Sequence, residues 1–170
     1  MSRAWPLAVV AVLGLPACDG GDEDGDGGDG GSGRCGPSSG IVERVVDGDT
    51  IVLESGERVR YLMIDTPEST QGATDCYGAE SAEFNRTLVE GKEVELSYDV
   101  DCDDQYDRLL AYVTVGDREV NSLMVERGLA CVLVIPPNGQ ERQAEFEAAE
   151  MRAQADLVGL WGVCEEVTCD

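Results

Sequence analysis

The first part of the chain that can fold alternates short apolar runs with tight turn signals. Residues 41–46, 50–53 and 58–64 are rich in valine, isoleucine and leucine. An Asp-Gly-Asp turn at 47–49 separates the first two runs, and such sequences between β-rich runs are typical of hairpins. The pattern predicts a three-stranded meander whose third strand ends at Asp65.

The next apolar positions predict a helix and two more strands. A helix is expected over residues 78–90, where Phe84 and Leu88 lie four residues apart and Gly91 follows. Strands are expected over residues 92–100 and 109–115. In the first of these strands Val94, Leu96 and Tyr98 share one side.

Two further helices are expected near the C-terminus. One carries Val120, Leu123 and Met124 on one face and ends at Gly128, and residues 129–135 then run extended. Asn138 and Glu141 resemble a capping box, so the last helix is expected to continue from there to about Val158. Its apolar face is expected to hold Ala144, Ala148, Met151, Ala155 and Val158.

This order of elements predicts the fold class. Three strands, a helix, two strands, a helix, a short strand and a helix fit an α+β protein. The arrangement we expect is a five-stranded OB-type β-barrel with three packed helices.

The N-terminus has the pattern of an export signal. Arg3 precedes an apolar run over residues 5–16 that is too short to span a membrane, and the run ends in the lipobox-like Leu15-Pro16-Ala17-Cys18. We therefore expect residues 1–17 to be a signal peptide and Cys18 to be lipidated. A plain secretory signal with an incidental cysteine is the alternative. Lipidation predicts a location in the bacterial cell envelope, with the membrane contacted through the lipid anchor only.

Residues 18–34 are almost entirely glycine and aspartate, which cannot bury apolar surface. We interpret them as a flexible tether, because their spacing matches no closed calcium loop. The folded domain is expected over residues 35–170.

The cysteines are also consistent with export. Seven are present, and removing Cys18 leaves an even number, which in an oxidising compartment predicts disulfides. No CxxC pair is present, so a zinc ribbon is disfavoured. Fifteen pairings remain possible.

Composition narrows the chemistry. The chain has no histidine and a formal net charge of -23, which excludes Ser-His and Cys-His pairs, an imidazole base and His-ligated zinc. Any catalysis must depend on carboxylates, arginines, hydroxyls or a hard metal ion.

Two carboxylates are candidates for such an ion. Asp49 lies in the first turn and Asp65 at the end of the third strand, and in a meander these ends can meet. With the backbone carbonyl of Thr66 they would form a set of oxygen ligands of the kind that Ca²⁺ prefers.

Three further side chains suit phosphodiester chemistry. Arg60 and Arg108 could bind phosphate oxygens and stabilise the charge of a pentacoordinate transition state. Glu68 could accept a proton from the attacking water, or orient it. Asn121 is expected instead to hydrogen-bond buried backbone.

These residues lie in motifs that resemble the staphylococcal nuclease-like (thermonuclease) family over about residues 41–161. The resemblance implies a calcium-dependent endonuclease that cleaves DNA and/or RNA and leaves 3′-phosphate ends. We expect the protein to be a monomer. The motifs are Asp47-Gly48-Asp49-Thr50, the segment from Arg60 to Asp65-Thr66-Pro67-Glu68, and Tyr106-Asp107-Arg108-Leu109-Leu110-Ala111-Tyr112.

The resemblance also implies roles residue by residue. Asp49, Asp65 and the Thr66 carbonyl match calcium ligands, Arg60 and Arg108 match phosphate-binding arginines, and Glu68 matches the catalytic glutamate. Tyr106 matches a tyrosine near the terminal phosphate of the nucleotide. Because the family fold places Cys76 and Cys102 at the rim of the active site, we expect them to pair.

The chain departs from the family in two ways. Residues 131–136 lack the aromatic side chains that flank the base in many members, and the strongly acidic charge opposes the approach of a polyanion. These departures leave two alternative functions open. One is a non-catalytic OB-fold module that binds nucleic acid or another anion, and the other is a calcium-binding structural domain of the cell surface. Neither requires Arg60, Glu68 and Arg108 together.

Overall fold

The structure, a computed structural model, describes residues 35–69 and 75–168 together with Met1. The expected signal peptide, lipidated Cys18 and tether lie outside the described residues. Among the residues described, no helix has the length and apolar content needed to cross a lipid bilayer. The elements in chain order are β1 (Ser39–Val45), β2 (Thr50–Leu53), β3 (Arg58–Tyr61), β4 (Ile64–Asp65), α1 (Gly78–Val89), β5 (Glu93–Asp103), β6 (Leu109–Val115), β7 (Arg118–Glu119), α2 (Val120–Glu126), β8 (Cys131–Val132), α3 (Gln143–Ala155) and α4 (Leu160–Val163).

Five strands close into a barrel. β1 pairs antiparallel with both β2 and β5, β2 pairs with β3, and β5 pairs with β6. The parallel pairing of β3 with β6, in which Arg60 lies opposite Leu110, closes the circle. β7 extends β6, and β4 and β8 form a separate two-stranded pair. The predicted α+β barrel with packed helices is confirmed.

The core lies inside the barrel and beneath the helices. Alternating strand positions point inward, so Val59 and Val94 are buried while their neighbours are more exposed. Val89 of α1, Met124 of α2 and Phe146 of α3 cover the same core. Each such side chain contributes about 1.5–3 kcal/mol through its burial, and the helices thereby fix the loops that surround the site.

The third strand is shorter than predicted, because the chain turns after Tyr61. Met63 has a φ of 68°, which interrupts the extended backbone, and the chain resumes as the short strand β4. Arg60 Nη1 stabilises this turn by donating to the carbonyls of Tyr61 and Ile64. The turn directs Asp65 back toward the β1–β2 loop.

The prediction for the last helix is wrong at its start and on its face. Asn138 does not cap it: its amide group bonds both backbone groups of Asp101, and α3 begins only at Gln143. The buried face is formed by Phe146, Ala149 and Ala153, whereas Met151 is 61% exposed. Phe146 offers the largest apolar surface of the helix, so its burial determines which face docks.

The expected Cys76–Cys102 bridge is also wrong. The structure pairs Cys35 with Cys102, with Cα atoms 5.0 Å apart, and Cys76 with Cys164, with Cα atoms 5.8 Å apart. The segment after Cys35 runs beside β5, where the Tyr98 hydroxyl donates to the Pro37 carbonyl, and this brings Cys35 to Cys102. Cys131 is disulfide-bonded as well, so the prediction of disulfides is confirmed.

Candidate active site

The site is built around the turn between β1 and β2. The Asp49 N–H donates to Asp47 Oδ1 at 3.1 Å, and the Val46 N–H donates to the Thr50 carbonyl. A Cβ atom at Gly48 would lie 2.7 Å from three side-chain atoms of Thr66. Glycine is needed here because the turn packs directly on the Thr66 side chain.

Asp49 joins this turn to the end of β4. Its carboxylate is only 5% exposed, and Oδ2 accepts hydrogen bonds of 2.9 Å from both the N–H and the hydroxyl of Thr66. Oδ1 accepts a third bond from the Thr50 hydroxyl. The two ends of the meander therefore meet, as the sequence predicts.

Arg60 cross-links the two carboxylates of this region. Its Nε lies 3.2 Å from Asp49 Oδ1, and its Nη2 lies 2.7 Å from Asp65 Oδ1, with the Arg60 side chain 13% exposed. The guanidinium is thus positioned by ion pairs as well as by the backbone carbonyls of the turn after β3. One face of Arg60 remains part of a pocket lining.

Arg108 immediately precedes β6 and reaches the same pocket, because β6 pairs parallel with β3. Its Nε and Nη2 donate to Asp104 Oδ2 at 2.7 and 2.6 Å. Burial by itself raises the pKa of Asp104, but hydrogen bonds from the Arg108 side chain and from the N–H groups of Tyr106 and Arg108 outweigh it and lower that pKa. Asp104 is therefore ionised and orients the guanidinium.

Tyr106 lies at the edge of this arrangement. Its ring is 63% exposed, and the Arg108 guanidinium carbon is 5.4 Å from the ring centroid. Tyr106 therefore contacts Arg108 without lining the pocket that the other predicted residues share.

Glu68 follows the strand pair and is held by its backbone. Its N–H donates to Asp75 Oδ2 at 3.2 Å, and its carbonyl accepts from the Asp75 N–H at 2.9 Å. A Cβ atom at Gly78 would lie 2.3 Å from the Glu68 carbonyl oxygen. The first turn of α1 thus packs against the backbone of Glu68.

All six residues predicted for catalysis and metal binding line one polar pocket of about 200 Å³. The pocket contains four carboxylates and two guanidiniums, so its lining carries an excess of negative charge. The complete lining is Asp47, Asp49, Thr50, Arg60, Asp65, Thr66, Pro67, Glu68 and Arg108.

The sequence does not predict that Asp47 lines the pocket, nor which residue supports it. Asp47 was expected only to form the turn, yet it also lines the pocket. Burial and the charge of Asp49 raise the pKa of Asp47 to about 7. Asn85 of α1 donates to the Asp47 carbonyl and accepts from the buried Tyr61 hydroxyl. The only sequence signal was a polar asparagine on the buried face of a helix.

A hard cation fits the chemistry of this donor set. No group of three or more His, Cys, Asp or Glu side chains suited to a metal occurs in the described part of the chain. The set is instead two aspartates with a backbone carbonyl, all oxygen donors. The four carboxylates of the pocket outnumber its two guanidiniums, which leaves negative charge that a cation would offset.

A second pocket of about 280 Å³ adjoins the first and shares Arg60 and Arg108 with it. Its lining is mainly apolar. It includes Leu133 and Ile135 from residues 131–136, the segment that lacks aromatic side chains. Asp101, Asp104 and Asn138 provide its polar rim. A molecule with an anionic group and a flat apolar group would fit the two pockets together.

Comparison with known proteins gives consistent matches. The model of the family described as staphylococcal nuclease homologue matches residues 58–163. A thermonuclease from Staphylococcus intermedius is 37% identical over 126 residues, which is 71% of this chain and 74% of that protein. A thermonuclease from Staphylococcus hyicus is 34% identical over 125 residues, which is 71% of this chain and 73% of that protein. Endonuclease YncB of Bacillus subtilis (strain 168) is 35% identical over 134 residues, which is 75% of this chain and 63% of YncB.

Proposed function

Because the chain belongs to the staphylococcal nuclease homologue family and is a nuclease, we propose that it is a calcium-dependent endonuclease. Its substrate is DNA and/or RNA, and its products carry 3′-phosphate ends. One observation carries the proposal: Arg60, Glu68 and Arg108 line a single pocket together with Asp49 and Asp65. A module that only binds nucleic acid has no use for all five side chains in one place.

The two arginines bind the scissile phosphate. Arg60 is fixed by its ion pairs and Arg108 by Asp104, so both guanidiniums are positioned before substrate arrives. Their charge stabilises the extra negative charge of the pentacoordinate transition state more than that of the ground state. Such preorganised donors typically contribute a factor of about 10²–10³ each.

Glu68 is the candidate general base. Its side chain is exposed to the pocket while its backbone is held by Asp75. It accepts a proton from the water that attacks phosphorus, and the bond from phosphorus to the 5′ oxygen breaks. The leaving 5′ oxygen takes up a proton from solvent to become a hydroxyl, and the phosphate stays on the 3′ side. The neighbouring apolar pocket receives the base of the nucleotide.

Asp49, Asp65 and the carbonyl of Thr66 are the groups proposed to hold Ca²⁺. When bound, the ion supplies positive charge that stabilises the developing charge on the phosphate. Arg60 already contacts both aspartates, which places the phosphate-binding guanidinium beside the proposed ligands.

Export and anchoring complete the proposal. Lipobox-like residues 15–18 support lipidation at Cys18, and the disulfides are typical of an oxidising compartment. The protein would then act as a monomer in the bacterial cell envelope, attached to the membrane only by its lipid.

The test is a cleavage assay on the oxidised chain with single-stranded DNA or RNA, in Ca²⁺ or in EDTA. Cleavage should require Ca²⁺ and be lost in Glu68→Gln and Arg108→Ala. Glu43→Gln is the matched control, because Glu43 is exposed on β1 away from the pocket. A folded, Ca²⁺-loaded chain that binds nucleic acid without cutting it would instead establish the non-catalytic binding module.

A further inference from the structure

We propose that this nuclease is active only in its oxidised form, because two of its disulfides, Cys35–Cys102 and Cys76–Cys164, position the catalytic groups rather than merely stabilising the fold. Cys35–Cys102 acts on Arg108 through Asp104, and Cys76–Cys164 acts on Glu68 through Asp75. Asp104 and Asp75 are thus positioning residues. The inference rests on the roles proposed above for Arg108 and Glu68.

On the arginine side, the disulfide fixes an irregular part of β5. The pairing of β5 with β6 shifts register between Tyr98 and Asp103, so the ladder does not hold Cys102 regularly. Two contacts outside the β5–β6 ladder hold this stretch. They are the Cys35–Cys102 disulfide and the hydrogen bonds between the Asn138 side chain and both backbone groups of Asp101. Asp104 lies two residues after Cys102 and forms an ion pair with Arg108.

Asp104 has a carboxylate fully engaged in setting the position of Arg108. Oδ2 accepts from Nε and Nη2 of Arg108, and Oδ1 accepts from the N–H groups of Tyr106 and Arg108. Displacement of the Cys102 segment therefore moves the carboxylate and the guanidinium together. A displacement of about 1 Å at a reacting group costs on the order of 100-fold in rate.

The glutamate side has the same construction. Cys76 is bonded to Cys164, which follows α4, and Asp75 immediately precedes Cys76. Asp75 binds both the N–H and the carbonyl of Glu68. α1 begins without a side-chain cap at Tyr77, so its cap does not provide this anchor.

The barrel itself does not depend on either bridge. Its closure consists of backbone pairing among five strands, and its core consists of aliphatic and aromatic side chains from strands and helices. The bridges join residues at sequence separations of 67 and 88, and each attaches a segment at the edge of the barrel. Reduction is therefore expected to loosen the rim of the site before the barrel unfolds.

The redox step is ordinary thiol–disulfide exchange with a dithiol reductant. A reductant thiolate attacks one cysteine sulfur, the protein S–S bond breaks, and a mixed disulfide forms. The second reductant thiol then releases the other cysteine. Two electrons and two protons pass to the protein as two thiols, and the reductant is oxidised to its disulfide. In a reducing compartment the chain would thus remain inactive until it is exported and oxidised.

The first test uses the full chain with Ca²⁺ and single-stranded DNA at a series of dithiothreitol concentrations. Alkylation and mass spectrometry measure the oxidation of each bridge, circular dichroism measures the fold, and kcat is measured in parallel. We expect kcat to fall about 100-fold as the two bridges are reduced while the β-sheet signal persists. A folded, reduced chain with the oxidised kcat would overturn the inference and leave the proposed function intact. Absence of cleavage by the oxidised chain would reject both.

The second test separates positioning from stability. Asp104→Ala and Asp75→Ala keep both bridges but remove the side-chain oxygens that accept from Arg108 and from the Glu68 N–H, and each should lower kcat by a larger factor than it raises KM. Phe146→Leu is the control: it weakens core packing on α3 and should leave kcat unchanged below its melting temperature. If reduction unfolds the whole chain, the two aspartate variants still test whether the proposed positioning occurs. A wild-type kcat in both of them would overturn the proposal.

A double-mutant cycle shows which catalytic residue each disulfide acts on. In a Cys35→Ser/Cys102→Ser background, Arg108→Ala should cost much less than in the wild type, whereas Glu68→Gln should cost the same factor as before. The Cys76→Ser/Cys164→Ser background should give the reverse. Equal costs of both substitutions in both backgrounds would show that the bridges act on overall stability alone.

Discussion

Asp49 accepts hydrogen bonds of 2.9 Å from both the backbone N–H and the hydroxyl of Thr66, a residue from a different turn of the chain. This pair of bonds brings the β1–β2 turn to the end of β4. It also engages one carboxylate oxygen of Asp49 before any ligand binds. The position of Arg60 also depends on this closure, because its guanidinium pairs with both Asp49 and Asp65.

Gly48→Ala tests that closure. The added Cβ would lie 2.7 Å from side-chain atoms of Thr66, so Thr66 must move away from Asp49. We expect a loss of about 100-fold in kcat/KM in the cleavage assay. Gly40→Ala on β1 is the matched control, because its Cβ meets only the flexible end of Leu53 at 3.0 Å. Equal activity of the two variants would contradict this account of the turn.

The two arginines should differ in their contribution to stability. Arg60→Ala leaves the buried Asp49 and the nearby Asp65 without their guanidinium, and breaking a buried pair costs about 3–5 kcal/mol. Arg108→Ala removes a more exposed pair with Asp104 and should cost about 1 kcal/mol. Urea denaturation measures both, and both variants should lose cleavage. The reverse order of stabilities would be inconsistent with the geometry.

Acid should remove the contribution of the Asp104–Arg108 pair. The pKa of Asp104 is lowered in the folded protein relative to about 3.9 in an unfolded chain, so the unfolded state binds more protons as the pH falls. The stabilisation is present above about pH 4 and is lost as the pH falls through the lowered pKa. The difference in unfolding free energy between wild type and Asp104→Asn should shrink over that range. A difference that does not change with pH would be evidence against the pair.

Salt should help this nuclease at low ionic strength. The chain carries a formal net charge of -23, which repels a polyanionic substrate over a Debye length of about 30 Å at 0.01 M salt and about 8 Å at 0.15 M. We expect kcat/KM to rise between these concentrations at constant Ca²⁺. A steep fall from the lowest salt upward would instead indicate a basic contact surface.

An aromatic side chain at the apolar pocket should improve substrate binding. Ile135 lines that pocket and is 66% exposed, so Ile135→Tyr places a ring where a base can stack. Stacking contributes about 1–3 kcal/mol, which predicts a KM at least about fivefold lower on single-stranded DNA. Ile41→Tyr, at an exposed position on β1, is the control. An unchanged KM in Ile135→Tyr would mean that the base binds elsewhere.

Local patterns predicted the part of the site that depends on turns and strand order. The Asp-Gly-Asp turn and the end of the third apolar run placed Asp49 near Asp65, and the structure brings both to one pocket. Asn121 was expected to bond buried backbone. It accepts from the Val113 N–H and donates to the Leu62 carbonyl, which confirms that prediction.

What the sequence did not predict depends on long-range packing. The partner of Cys102 is determined by the path of the segment after Cys35 along β5, which no local pattern encodes. The docking face of α3 is determined by the volume of Phe146, while small alanines on two faces make the periodicity ambiguous. Asn85 of α1 donates to the Asp47 carbonyl, a contact that is visible only once α1 is placed against the barrel.

The parallel pairing of β3 with β6 also constrains how the protein folds during synthesis. A nascent chain that has emerged only through β5 has an open edge at β3, which is a template for aggregation until β6 arrives. Because this pairing joins strands separated by all of α1 and β5, it raises the contact order and slows folding toward the millisecond-to-second range of β-rich domains. Arg108 emerges with β6, so the pocket lacks one of its two guanidiniums until the strand that closes the barrel is synthesised.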